Sequence, residues 1–101
     1  MKIEQGAIYL AQVGAERRPL LVISNDDFNS NSKFIMIAPI TSTYLNNPMR
    51  ISLEGYNLAT TGYVIVDQAR GTDILSREPK YVEKVTSELL DIILSTFRLI
   101  F

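Results

Sequence analysis

The apolar positions along the chain predict short β-strands joined by polar turns. Residues 7–13 alternate between two sides, whereas residues 19–23 and 34–40 are continuously apolar, which is typical of strands covered on both faces. Pro19 cannot donate a backbone hydrogen bond, so we expect it to be the first residue of its strand. The further predicted strands are residues 49–53, 63–66 and 80–85, and one helical turn is expected at Phe28-Asn29.

The C-terminal residues change from strand to helix periodicity. Thr86 is a suitable N-cap, and the helix is expected to run to about Arg98. The residues at four-residue spacing along its apolar row are Leu89, Ile93, Phe97 and Phe101. Because the apolar arc is wider than one sheet face requires, the helix also predicts a self-associating surface.

The order of these elements predicts a mainly β fold with a C-terminal α-helix, in the form of a small antiparallel barrel. The 101 residues, 47% of them hydrophobic, are enough for one core, so we predict a single domain, 1–101. No disulfide or metal is needed to hold a core of this size.

Composition and charge narrow the candidate chemistry. The net charge is −1, which argues against a nucleic-acid binder whose whole surface is basic but allows a local basic patch. The chain has no Cys and no His, which excludes thiol catalysis, zinc–thiolate sites and the usual general base. We therefore expect neither a metal nor a cofactor. No apolar run is long enough to span a bilayer, and a cytoplasmic protein is predicted.

Three polar side chains stand at the ends of predicted core strands, where rigid backbone fixes their positions. Arg18 precedes one strand, Thr41 follows another, and Asp67 follows a third. A guanidinium and a hydroxyl suit a phosphate, and a carboxylate at the edge of the core suits a general base. The structural alternatives are an ordinary surface charge for Arg18, a strand-end hydroxyl for Thr41, and for Asp67 a carboxylate that orients Arg70 or another arginine.

Three ordered motifs resemble the successive signatures of the MazF/PemK (Kid) toxin family. They are the stretches 18–26 (RPLLVISND), 39–42 (PITS) and 60–70 (TTGYVIVDQAR). The likeness extends over nearly the whole chain. It implies an SH3-like antiparallel barrel of the MazF/CcdB type that works as a homodimer.

The resemblance also implies an activity and its site residues. Members of the family are metal-independent endoribonucleases that cut single-stranded RNA at a short sequence, by attack of the ribose 2′-hydroxyl on the neighbouring phosphate. Carried over by motif, Arg18 would serve in proton transfer and charge stabilisation, Thr41 would hold the scissile phosphate, and Asp67 matches a proposed base. The expected RNA contacts are Arg17, Ser42, Tyr44, Gln68 and Arg70. A disordered antitoxin that occupies the RNA groove is the expected protein partner.

Two other functions fit the same fold. A gyrase poison similar to CcdB would act through its C-terminal residues, but that family ends in Trp-Gly-Ile and this chain has no Trp. A relative with weak or no catalysis would bind only RNA or an antitoxin. The short connection Gly14-Ala15-Glu16-Arg17 favours this last interpretation, because the longer loop of the family helps to cover the RNA.

Overall fold

The computed structural model describes residues 1–100, which form seven strands, two α-helices and two short 3-10 turns. The strands are β1 (Ala7–Val13), β2 (Glu16–Val22), β3 (Ile35–Thr41), β4 (Arg50–Ser52), β5 (Tyr63–Ile65), β6 (Arg70–Thr72) and β7 (Lys80–Lys84). The helices are α1 (Asp26–Asn31) and α2 (Ser87–Arg98), and the 3-10 turns are Val66–Gln68 and Ile74–Arg77. The predicted mainly β fold with a C-terminal helix is confirmed.

All strand pairs are antiparallel, and β3 is the strand on which the sheet branches. The pairing order is β4-β5-β3-β2-β1-β7, and β6 pairs with β3 outside this path. On one edge of β3 lies β2, while on the other edge β6 covers residues 35–37 and β5 covers residues 40–41. Within residues 1–100, β4 and β7 do not pair with each other, so the sheet is open and the word barrel applies to it only loosely.

Each face of the sheet carries a core of its own. On the first face Leu21 and Ile40 pack with Leu89 and Ile93 of α2, and we call this cluster the helix-side core. On the other face Leu20, Val22 and Ile37 pack with Tyr9 and Ile74, and this cluster is the second core. Because neighbouring residues of β2 and β3 feed opposite cores, both strands are apolar without interruption, as their sequences predicted.

The first hairpin begins earlier than predicted. Gly14 and Ala15 form a two-residue turn, and pairing starts at once with Val13 opposite Glu16. The positive φ of +62° at Gly14 is what a type II′ turn requires at its first central residue. Pro19 is therefore the fourth residue of β2, opposite Leu10, and its prediction as the first strand residue is wrong.

Between β5 and β7 the structure contains elements that the apolar pattern did not predict. They are β6 and the two 3-10 turns, all of them three or four residues long. Segments this short carry no periodicity that a sequence pattern can reveal. The strand predicted at 80–85 is confirmed as β7.

The predicted C-terminal helix is confirmed in extent and in its cap. The Thr86 hydroxyl oxygen accepts a hydrogen bond from the Leu89 amide at 3.2 Å. Of the predicted apolar row, Leu89 and Ile93 are buried and Phe97 is half-buried, while Phe101 lies outside the described residues. Ile92 on α2 and Leu99 directly after it are exposed by 39% and 78%, so apolar surface remains on and beside the helix. In the described part of the chain no helix has the length and apolar character needed to cross a membrane.

Candidate functional site

The strand pairing places Arg18 and Thr41 on the same face of the sheet. Leu20 and Pro39 form the last pair between β2 and β3, and Arg18 and Thr41 each lie two residues beyond that pair. On the other edge of β3, Thr41 pairs with Tyr63. Since residues directly opposite one another project from the same face of a sheet, these three side chains lie on one face across three adjacent strands. It is the face that carries the second core, which ends here and leaves polar groups at the surface.

Arg18 is exposed and already holds an acidic partner. Its Nη2 atom lies 2.6 Å from Oε2 of Glu16, and the side chains of the two residues are 55% and 66% exposed. An ion pair at such exposure contributes little to stability. The guanidinium is therefore open to a competing anion, and a phosphate would satisfy two of its N–H donors at once.

Thr41 ends β3 and its backbone is tightly enclosed. Its Oγ1 atom accepts a hydrogen bond from the Thr43 amide at 3.2 Å, which leaves the hydroxyl proton for a ligand. Gly62 packs against the Thr41 carbonyl so closely that a Cβ atom on it would lie 2.3 Å from that oxygen. Gly62 also has φ +114°, which side chains rarely tolerate. A glycine directly before β5 is thus required by this close approach.

Asp67, Gln68 and Arg70 follow β5 and are all exposed. Arg70 pairs with Ile37 and so projects from the face of Thr41, at a distance of about 13 Å along β3. Among residues 1–100 no ion pair joins Asp67 to an arginine. The described structure therefore does not show Asp67 orienting Arg70.

Ser42 and Tyr44 lie in the segment that leaves β3. The Tyr44 ring is 66% exposed and stands edge-on to the ring of Tyr63, with centroids 5.7 Å apart. The Arg50 guanidinium donates a hydrogen bond of 2.7 Å to the Thr43 carbonyl, which holds this segment against β4. Tyr44 thus presents an aromatic surface beside Thr41.

Arg17 does not join this group. It alternates with Arg18 along β2, and its Nη2 atom donates to the carbonyls of Leu10 and Glu78, at 3.0 and 2.8 Å. These bonds connect the first hairpin to the chain before β7. In this arrangement Arg17 is a structural cross-link.

A cleft of about 520 Å³ opens beside Thr41. The loop between β4 and β5, residues 53–62, forms most of its wall, and we call this segment the cleft loop. Ser42, Ser52 and Tyr63 complete the lining. The apolar pattern assigned residues 54–62 to no strand or helix, although Thr60, Thr61 and Gly62 belong to the motif 60–70.

Glu83 of β7 is a residue that no sequence motif or pattern singled out. Its carboxylate accepts hydrogen bonds from the Ala59 and Thr60 amides and from the Thr60 hydroxyl. Partial burial alone would raise the pKa of this carboxyl, but the hydrogen bonds outweigh it and hold the pKa below its ordinary value. Within residues 1–100 no three acidic side chains converge as a metal-binding group.

Comparison with known proteins gives the chain its family. Residues 4–101 match the model of the PemK-like, MazF-like toxins of type II toxin-antitoxin systems. The chain is 31% identical to the endoribonuclease PemK of Escherichia coli, in an alignment that covers 91% of this chain and 77% of that protein.

Solved structures agree on the fold. A MazE–MazF complex of Deinococcus radiodurans superposes with a TM-score of 0.89 at 22% identity, covering 99% of this chain and 95% of that chain. A mycobacterial endoribonuclease in complex with its cognate antitoxin gives 0.80 at 23% identity, covering 96% and 92%. From the family match and the Escherichia coli relative, the chain belongs to the PemK-like, MazF-like toxins of type II toxin-antitoxin systems.

Proposed function

We propose that this protein is a toxin endoribonuclease that cuts single-stranded RNA at a short sequence. The observation that carries the proposal is the strand pairing that puts Arg18 and Thr41 on one face of the sheet, each two residues beyond the Leu20–Pro39 pair. A cation and a hydroxyl on neighbouring strands can hold one phosphodiester between them, because both are fixed by the same sheet.

The proposed reaction uses a nucleophile that the substrate supplies. The ribose 2′-oxygen forms a bond to the adjacent phosphorus and loses its proton, while the bond from phosphorus to the 5′-oxygen breaks and that oxygen gains a proton. The products are a cyclic phosphate and a free 5′-hydroxyl. Arg18 stabilises the charge that grows on the phosphate oxygens, and Thr41 donates a hydrogen bond to one of them.

The remaining site residues have supporting roles in this proposal. Asp67 is the candidate acceptor of the 2′-hydroxyl proton, since it is exposed and follows β5 closely. Arg70 and Gln68 contact the RNA backbone beside it, and Ser42 lies in the cleft wall. Tyr44 offers its exposed ring to a base, since stacking on an aromatic side chain is tolerant of sequence. An RNA contact by Arg17 remains a prediction, and it would require Arg17 to give up its two hydrogen bonds to backbone carbonyls.

Partners follow from the same proposal. Proteins of this fold include an endoribonuclease solved in complex with its cognate antitoxin, and we propose an antitoxin for this chain. An acidic segment would compete with RNA for Arg18 and Arg70. We also propose a homodimer, formed in part by the apolar surface of α2, and action on mRNA in the cytoplasm.

The test compares Arg18→Ala and Thr41→Val with the wild type on single-stranded RNA in the presence of a chelator. Lys84→Ala is the control, since Lys84 is exposed at the far end of β7. We expect Arg18→Ala to reduce kcat by about 100- to 1,000-fold and Thr41→Val by about tenfold or more. End mapping should show cyclic phosphates and 5′-hydroxyls for the wild type.

Two results would contradict the proposal. Cleavage by both variants at the wild-type rate would remove Arg18 and Thr41 from the mechanism. Wild-type protein that arrests growth while RNA stays intact would instead favour a gyrase poison or a toxin that only binds.

A further inference from the structure

The cleft loop is held in place by very few polar contacts. The Leu53 amide donates to the Gly62 carbonyl at 3.0 Å and closes the base of the loop. Residues 55–61 lie within this closed loop. In the described part of the chain, the hydrogen bonds that they form are all with the Glu83 carboxylate. Tyr56 and Leu58 add apolar contacts with the helix-side core. The hydrogen bonding of the loop thus depends on the side chain of Glu83.

The contacts of Glu83 are short and involve both carboxylate oxygens. Oε1 accepts from the Ala59 amide at 3.0 Å, while Oε2 accepts from the Thr60 amide at 2.6 Å and the Thr60 hydroxyl at 2.7 Å. Hydrogen bonds to a charged acceptor are about twice as strong as neutral ones. Three of them on two consecutive residues fix the backbone direction of the loop at this point.

A shift at Thr60 would reach the candidate site within a few residues. Two residues after Thr60, Gly62 packs against the Thr41 carbonyl, and the next residue, Tyr63, pairs with Thr41 in the sheet. Thr60 itself and Thr61 line the cleft. The position of the loop and the position of Thr41 are therefore coupled through direct contact.

We propose that Glu83 is a positioning residue, which anchors the cleft loop from β7 and so fixes the shape of the cleft beside Thr41. Glu83 touches no reacting atom in this proposal and acts through Thr60 and Gly62. The proposal rests on the proposed function, because the cleft would receive the nucleotide next to the scissile phosphate. With the loop fixed, the cleft accepts few nucleotides and holds the RNA with the 2′-oxygen aligned. With the loop released, alignment and selectivity should both decline.

The first measurement needs no catalysis. Glu83→Gln keeps the size of the side chain but removes its charge and one acceptor, whereas Glu83→Ala removes every contact. Asp91→Asn is the matched control, since Asp91 is an exposed carboxylate on α2. We expect amide hydrogen exchange at Ala59 and Thr60 to accelerate by about tenfold or more in both Glu83 variants, and the NMR signals of the Gly62 and Thr41 amides to shift. The control should show neither effect.

The second measurement uses RNA cleavage. We expect Glu83→Gln to reduce kcat by about 10- to 100-fold, because misplacement of about 1 Å can have that effect, while KM changes by less than about threefold. Mapping of the cut sites on a mixed RNA pool should show cleavage at a wider set of sequences than for the wild type. A residue that only stabilises the fold would lower the amount of active protein without widening the cut sites.

The outcomes separate this proposal from the proposed function. If the wild-type protein does not cut RNA, the proposed endoribonuclease activity is rejected. The NMR signals of Gly62 and Thr41 in the Glu83 variants then still show whether Glu83 positions these two residues. Unchanged exchange at Ala59 and Thr60 in Glu83→Gln overturns the anchor. Faster exchange with unchanged signals at Thr41, or with an unchanged set of cut sites in an active enzyme, overturns the positioning role.

Discussion

Two connections border the candidate site, and they are built in opposite ways. The β1–β2 turn consists of Gly14 and Ala15, and among residues 1–100 no atom beyond the chain neighbours lies within 4 Å of the place where a Cβ on Gly14 would be. The cleft loop is far longer, and Gly62 in it touches the Thr41 backbone, where a Cβ would meet the carbonyl oxygen at 2.3 Å. The turn is specified by its own backbone geometry, whereas the loop is specified by distant residues.

This difference shows where the shape of the site comes from. A two-residue turn needs only one glycine with the correct φ and can form before the rest of the fold. The cleft loop takes its shape only when β3 and β7 are in place, because Thr41 and Glu83 define it. Substitutions in the loop should therefore affect the site, and substitutions in the turn should affect only local stability.

The largest expected difference is between two glycine substitutions. Gly62→Ala should destabilise the protein by about 3 kcal/mol, because φ +114° and the contact with Thr41 both oppose a side chain. At Gly14 the φ of +62° is also strained for a side chain, but there is space for the added Cβ. Gly14→Ala should therefore lower the free energy of unfolding by about 1–2 kcal/mol. Urea unfolding followed by circular dichroism measures both. RNA cleavage by the folded fraction of Gly62→Ala should also decline, since Thr41 must move.

The control for this pair is Gly55→Ala. Gly55 belongs to the cleft loop and has φ +88°, yet in the described part of the chain no atom beyond its neighbours lies within 4 Å of an added Cβ. Its substitution should resemble Gly14→Ala. If Gly62→Ala is no worse than the other two, the contact with the Thr41 carbonyl has no energetic weight.

The sequence was sufficient for the fold because the strong signals are long. Continuous apolar runs predicted β2 and β3, and the change of period at Thr86 predicted α2 with its cap. The same runs correctly placed Thr41 at the end of β3, but Arg18, which was predicted to precede its strand, is the third residue of β2. The strand register then puts both residues on one face of the sheet, and this register cannot be deduced from a single sequence.

The parts that sequence reasoning missed depend on tertiary contacts. Arg17 and Arg18 are identical in type and adjacent, and only the alternation of the folded strand directs one to the carbonyls of Leu10 and Glu78 and the other to the candidate site. Glu83 is separated from Thr60 by 23 residues and lies in no motif. Such a contact between distant residues has no local sequence signature.

A smaller effect, in the acid range, tests the contact between Glu83 and the loop. Because the pKa of Glu83 in the folded protein lies below its ordinary value of 4.5, the carboxylate stabilises the fold fully above about pH 5. This contribution is lost as the pH falls through the lowered pKa. The difference in unfolding free energy between wild type and Glu83→Gln should thus be constant from pH 7 to 5 and shrink below that. Asp91→Asn shows what a carboxylate outside the loop contributes, and a difference that does not vary with pH would contradict the lowered pKa.

The smallest effect is expected at the turn. Insertion of three Gly or Ser residues between Gly14 and Ala15 lengthens the connection without touching the rest of the site, and loop-closure entropy predicts a loss of stability of about 1 kcal/mol or less. Because Gly14 faces open space on the side where a Cβ would lie and the cleft loop forms the wall beside Thr41, kcat on short RNA should stay within about twofold of the wild type. The same insertion placed in the cleft loop after Gly55 is the matched comparison, and there we expect a reduced kcat and a wider set of cut sites. A turn insertion that tightens RNA binding tenfold or more would mean that the short turn limits substrate contact, and the site would then depend on both connections rather than on one.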